Sequence, residues 1–224
     1  HSRAYRETSQ ILDIFTPEFG RIGIVANGAR RPKSAFRGYL NSFHPLRISW
    51  SGRGELVRLI AIESFGTAPQ LTGERVMAGF YVNELLLKLL HRGDAHPNLF
   101  AYYSELISDL SKATNIEELL RRFEMVLLSE IGYAMDLQTD CIAHEPLQSD
   151  SYYEFQIERG LVPVPSMKTN ALVNTGAEFT AIAKLDFSRA ETRHSAKQLL
   201  RSVLNFHLGG RPLRTRAVAA AMKR

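Results

Sequence analysis

Cysteine is almost absent from this 224-residue chain, with Cys141 standing alone. It has no partner for an internal disulfide, and nothing points to an oxidising compartment, so the cytoplasm is the expected location. A structural zinc normally takes four Cys or His ligands. Cys141 and His144 supply two, so the cluster Asp140, Cys141, His144, Glu145 reads as a polar loop, and neither a metal nor a cofactor is expected. Long apolar runs are missing too. The longest, residues 85–90, is broken by Lys88 and falls far short of the roughly 18–20 residues that span a bilayer. There is no phosphate-binding loop, no GxSxG elbow and no HExxH, and Gly52-Arg53-Gly54 is too short for a nucleotide motif. Seven His and one Cys leave a Cys–His pair open in principle, but nothing local supports one, so the chain is not read as an enzyme. It opens at His1 without a methionine, and further N-terminal residues, with part of a first strand, are expected before it.

What the chain does have is positive charge in particular places. The net charge is +5, carried as +5 in residues 1–66, −3 in 67–135 and +3 in 136–224. Between Arg30 and Arg58 stand seven Lys or Arg against one acid, Glu55. Two basic ends around an acidic middle suggest a polyanion partner, although basic loops can also be plain solvated surface.

The basic stretch alternates with short strands. Residues 10–15, 21–26, 46–50 and 56–62 are rich in Ile, Val and Leu, and Asn27-Gly28 and Gly52-Arg53-Gly54 are turn signals. Five short strands in about 65 residues suit a small barrel of the OB type. The period then becomes helical. Residues 74–91 carry Val76, Met77, Phe80, Leu85, Leu86, Leu89 and Leu90 and stop at Gly93. Pro97 opens a second helix with a stripe of Leu99, Tyr103, Leu106, Ile107 and Leu110. Asn115 and Glu118 form a capping box for a third, with Leu119, Leu120, Phe123, Val126 and Leu127 on its apolar face and Gly132 at its end. Three such faces suit a helical bundle. A hairpin is expected from residues 152–157 and 161–164, a short helix at 177–184, and a helix capped by Ser188 with Glu191 and closed by Gly209-Gly210. The expected fold class is α+β. An N-terminal OB-fold barrel (1–66) precedes a helical domain (67–224), which has an irregular hairpin region (136–165) and a basic C-terminal helix and tail (188–224).

Several side chains are candidates for binding. Arg30, Arg31, Lys33, Arg37, Arg53 and Arg58 sit where a barrel presents its loops and are expected to contact phosphates. Phe36 and Tyr39 lie among them, either as rings that stack on unpaired bases or as barrel core. Arg189, Arg193, Lys197 and Arg201 recur every four residues and make one basic stripe on a helix, and Arg211, Arg214, Arg216, Lys223 and Arg224 extend it. Arg121 and Arg122 adjoin the apolar face of the third helix. They grip a carboxylate beside that face, or they make ordinary helix ion pairs with Glu117, Glu118 or Glu124.

Taken together these stretches resemble a known family. The order ETSQILDIFTPEFGRIGIVANGAR from Glu7, FHPLRISWSGRGELVRL from Phe43, LTGERVMAGFYVNELLLKLL from Leu71, LRRFEMVLLSEIGY from Leu120 and FHLGGRPLRTR from Phe206 is similar to the bacterial recombination mediators of the RecO family, over nearly the whole chain. The resemblance implies an OB-fold, a helical domain and a C-terminal region packed onto it. It implies binding of single- and double-stranded DNA, annealing of complementary strands, and, with RecR, loading of RecA onto DNA coated by single-strand-binding protein, in a cytoplasmic, nucleoid-associated setting. It also implies capture of that protein's acidic, hydrophobic C-terminal tail, with Arg121 and Arg122 the matching positions, and it maps the family's basic loop onto Arg30, Arg31, Lys33 and Arg37. Many members carry a four-Cys zinc site after the third helix. Only Cys141 remains here, so no zinc is expected and the region is expected to be held by packing alone.

The sequence therefore reads as a DNA-binding, strand-annealing mediator without catalytic activity. An RNA-binding OB protein and a protein-interaction adaptor are the alternatives. A metal nuclease using acids such as Asp136 or Asp140 is a third.

Overall fold

The computed structural model describes residues 1–167 and 172–222. Five strands come first, β1 (Ser2–Tyr5), β2 (Ser9–Thr16), β3 (Gly20–Ala26), β4 (Leu46–Ser51) and β5 (Leu56–Ser64). They lie in the order β1-β2-β3-β5-β4, antiparallel throughout except for β3 and β5, which run parallel. This is the expected OB-type barrel. Period-2 side chains supply its core of Leu12, Ile24, Ala26, Ala29 and Leu59, with Ile14, Ile22, Ile48, Trp50, Val57 and Ile62 packed around it. A bulge between Ser49 and Trp50 leaves Ile60 unopposed on β5.

The helices α1 (Glu74–Leu89), α2 (Pro97–Leu110) and α3 (Ile116–Glu130) follow. A three-stranded sheet of β6 (Tyr152–Gln156), β7 (Gly160–Val164) and β8 (Val173–Thr175) comes next, in the order β7-β6-β8, then α4 (Gly176–Ala183), α5 (Ala190–His207) and α6 (Arg214–Met222). The chain divides into two compact units, residues 1–114 with 213–224, and residues 115–212. No described helix is long and apolar enough to cross a membrane.

In the first unit, a buried carboxylate ties the barrel to the helices. Asp13 on β2 accepts from Arg92 at 2.8 Å and faces Arg21 at 3.7 Å, while Arg92 also donates to the Glu55 carbonyl. The Gly93 amide donates to the Arg21 carbonyl, and Gly20 (φ +59°) passes so close that a Cβ there would run into the Asp94 carbonyl oxygen. On α1 the buried residues are Ala78, Gly79, Tyr81, Val82, Leu85 and Leu86. Phe80, expected on that face, is instead exposed, with its ring 5.1 Å from that of Phe43, which packs over Gly79. On α2 Tyr103 donates to Asn83 at 2.8 Å. Burial pushes its phenol pKa up, against the pull of that hydrogen bond.

In the second unit α3 and α4 pack against α5. Asn115 caps α3 by accepting from the Glu118 amide, as its spacing predicts. Thr175 does the same for α4 with the Glu178 amide. The box expected at Ser188 does not form. The Ser188 hydroxyl and amide both donate to Asp186, holding that carboxyl below its usual pKa, and α5 begins one residue later with Arg189 at its N-cap position. The hairpin of β6 and β7 is in place, pairing Gln156 with Gly160. The region before it is not held by packing alone. Asp136 accepts from the amides of Gln138 and Thr139, and Asp140 from those of Ile142 and Ala143, so two carboxylates fix its turns. Among the described residues no group of three or more His, Cys, Asp or Glu converges as metal ligands would.

Candidate nucleic-acid interface

Between β3 and β4 the chain makes a run of tight turns, with amide-to-carbonyl bonds Arg31 to Gly28, Ser34 to Arg31, Arg37 to Ser34 and Tyr39 to Phe36. This loop is anchored from within. Phe36 and Leu40 pack against the barrel core, so Phe36 takes the core role of its two candidate roles. Tyr39 lines a cleft of about 590 Å³ with Phe43, His44, Phe100 and Tyr103. With its apolar side turned inward, the loop holds Arg31, Lys33 and Arg37 exposed. None of the three has an ion pair or side-chain hydrogen bond among the described residues.

Arg30 is tied down. Its amide donates to the Thr8 carbonyl at 2.8 Å, and its guanidinium reaches the carbonyls of Glu7 (3.3 Å) and Arg6 (3.5 Å). These bonds bring the β1–β2 turn alongside the loop and add Arg6, whose guanidinium lies 5.1 Å from the Tyr5 ring centre. Sequence reasoning passed over Arg6. The signal for it is the hairpin register, which places this turn at the barrel end where β3 finishes, with Gln10 opposite Ala26. Arg58 is exposed on β5 opposite Val25, one residue before the end of β3, and so lies toward the same end. Arg53 does not. Its turn precedes Leu56, which pairs with Gly23 in a parallel ladder, and so projects past the start of β3 at the opposite end.

The cations of residues 115–212 are differently placed. Arg189 pairs with Glu178 (3.6 Å) and Glu191 (3.7 Å), and Lys197 with Glu117 (2.6 Å). Arg193 donates at 2.7 Å to the carbonyls of both Phe187 and Ser188, and Arg201 is exposed with no ion pair among the described residues. Arg121 is buried, 7% exposed, and bonded at 2.6 Å to the equally buried Glu124 on the same helix. Arg122 holds Glu118 at 3.0 Å, and its guanidinium lies 5.8 Å from the Phe187 ring centre. Arg211 donates to the Leu208 carbonyl.

The last described segment returns to the first unit. Glu84 on α1 accepts from the amides of Arg214 and Thr215 and from the Thr215 hydroxyl, capping α6 from a neighbouring helix. Burial raises the Glu84 pKa, but those bonds and Lys88 together outweigh it and leave it lowered. Arg216 donates to the Tyr81 hydroxyl at 3.1 Å. Lys223 and Arg224 lie outside the described residues.

Comparison with known proteins agrees along the whole chain. The model of the family described as recombination protein O N terminal matches residues 1–67, and that described as recombination protein O C terminal matches residues 70–217. A DNA repair protein RecO from Azoarcus sp. is 42% identical over 97% of this chain and 91% of its own length. Proteins of the same name from Ralstonia nicotianae (43%, 97% and 80%) and Nitrosococcus oceani (39%, 100% and 91%) also match. An OB-type barrel with exposed basic loops, matched over both halves by one family, leaves a single assignment: the chain belongs to the RecO family of DNA repair proteins.

Proposed function

We propose that this chain binds single- and double-stranded DNA through the basic end of its barrel and brings complementary strands together. With RecR, it would help load RecA onto DNA coated by single-strand-binding protein. One observation carries the reading. Arg31, Lys33 and Arg37 are exposed on a loop whose Phe36 and Leu40 are pinned to the core, with no ion pair among the described residues. Such cations displace counterions from phosphates at little reorganisation cost. Arg6 and Arg58 widen the patch, and Arg30 holds the two loops together.

The mechanism is charge neutralisation. A basic surface lowers the repulsion between two phosphate backbones, and base pairing itself supplies the selectivity. Arg, Lys and main-chain contacts to phosphate carry no sequence information, so sequence preference is weak. The stripe on α5 is a secondary site, because Arg189 and Lys197 must first release Glu178, Glu191 and Glu117. Tail capture on α3 falls to Arg122, which is the more accessible of the pair and would exchange Glu118 for a ligand carboxylate. Arg121, locked to Glu124, would position that helix face.

The test is fluorescence anisotropy with a labelled single strand across a salt series, with an annealing assay on the same sample. The expected result is tight binding with a steep salt slope and faster annealing. No binding at low salt overturns the reading in favour of an adaptor that meets only proteins.

A further inference from the structure

The opposite end of the barrel carries a feature that charge neutralisation does not use. Phe19, in the β2–β3 turn, is 51% exposed, and its ring stands edge-to-face on Trp50 with centroids 5.1 Å apart at 90°. The turn is rigid. The Phe19 amide donates to the Thr16 hydroxyl, and that hydroxyl donates to the Gly20 carbonyl. Trp50 is anchored as well, half-sunk in the barrel core at the end of β4. A large ring is thus held at the surface by two fixed supports. A cation without an ion pair among the described residues stands in the neighbouring turn. Arg53 lies three residues past Trp50, in the turn between β4 and β5. Glu18 and Glu55 occupy the same two turns and repel phosphate, which favours contact of the ring with a base over contact with the backbone.

We propose that Phe19, braced by Trp50, is a stacking platform for an unpaired base, with Arg53 taking a flanking phosphate. Stacking needs only the π-face that every base has, so the platform selects single strands over duplex without reading sequence. It rests on the DNA-binding reading above and adds a strand-state preference to it. A mediator built this way would hold one strand open at this end while the basic loop at the other end receives its complement.

Trp50 is the chain's one tryptophan, so its emission reports on the platform directly. The full chain is titrated with a labelled thymidine oligonucleotide while anisotropy and Trp50 emission are followed together, and the titration is repeated with a duplex. The platform predicts that emission changes with the midpoint of the anisotropy curve. Phe19→Ala should weaken single-strand binding about tenfold, with duplex binding unchanged. Phe19→Leu, which keeps an apolar contact but no ring, should behave like the alanine variant. Phe65→Ala, which removes another exposed ring, should behave like wild type. Single-strand binding with silent Trp50 and a neutral Phe19→Ala overturns the platform and leaves the DNA-binding reading standing. So does an equal loss for single strand and duplex. Absence of any DNA binding by wild type overturns both.

Discussion

The two units of this chain use their arginines and lysines in opposite ways. Residues 1–114 with 213–224 hold 18 Lys or Arg against 10 Asp or Glu, a net +8, while residues 115–212 hold 10 against 13, a net −3. In the first unit Asp13 is spent on Arg92 and Arg21, Glu84 on the start of α6 and Glu63 on Arg47 of the neighbouring strand. The loop cations are left to solvent. In the second, Glu117, Glu118, Glu124, Glu178 and Glu191 each face a cation, and the basic stripe on α5 is largely consumed within the fold. Counting charge along a sequence treats Arg31 and Arg189 alike. What decides whether a cation serves a ligand is whether a carboxylate has already claimed it.

The comparison is broken most severely at the buried pair of α3. Arg121→Ala removes one half of a buried ion pair and should lower stability by about 3 kcal/mol in urea denaturation. The salt slope of DNA binding should not change. At the barrel loop the effects reverse. Replacing Arg31, Lys33 and Arg37 together by Ala should leave the melting temperature alone. Single-strand affinity near 0.1 M salt should fall by about two orders of magnitude, as expected for three lost phosphate contacts.

Glu84 sharpens the contrast, because it brings the basic C-terminal segment into the first unit. Its folded pKa is lowered, so its contribution is fully present above the ordinary carboxylate value of 4.5 and disappears as pH falls through the lower folded value. Glu84→Gln should cost about 1 kcal/mol at neutral pH, with a flatter acid limb in the urea midpoint plotted against pH. The smallest effect belongs to Lys197→Ala. Its pair with Glu117 is exposed, so stability should change by about 0.5 kcal/mol or less in the same urea assay, and DNA affinity hardly at all.

Much of this fold is legible in the sequence because its signals are local. The barrel strands follow from Ile and Val alternation punctuated by the turns Asn27-Gly28 and Gly52-Arg53-Gly54, and the α3 cap from Asn115 three residues before Glu118. What failed depended on competition or on distance. Ser188 was lost as a cap because Asp186, two residues earlier, captures it. The Thr175–Glu178 box was hidden behind Gly176, and α6 behind a tail that reads as nothing but basic. On α3 the sequence left Arg121 either to grip a ligand carboxylate or to pair along the helix; it pairs with Glu124, and only the fold shows that this pair is buried. The Asp13–Arg92 link spans 79 positions, and no local pattern announces it. The site was half legible for the same reason. Spacing displays which residues are basic, while only the fold shows that Phe36 turns inward, that Arg53 sits at the far end of the barrel, and that Arg189 and Lys197 of the α5 stripe are already paired.

The most direct measurement sets two variants side by side in one salt series with a labelled single strand. One lacks Arg31, Lys33 and Arg37, and the other lacks Arg189, Arg193 and Lys197. Both remove three cations, so bulk charge predicts equal effects. The pairing account predicts that the loop variant loses about two units of the slope of log K against log salt, while the stripe variant stays close to wild type. Equal slopes for the two variants, or a larger loss for the stripe, would contradict it.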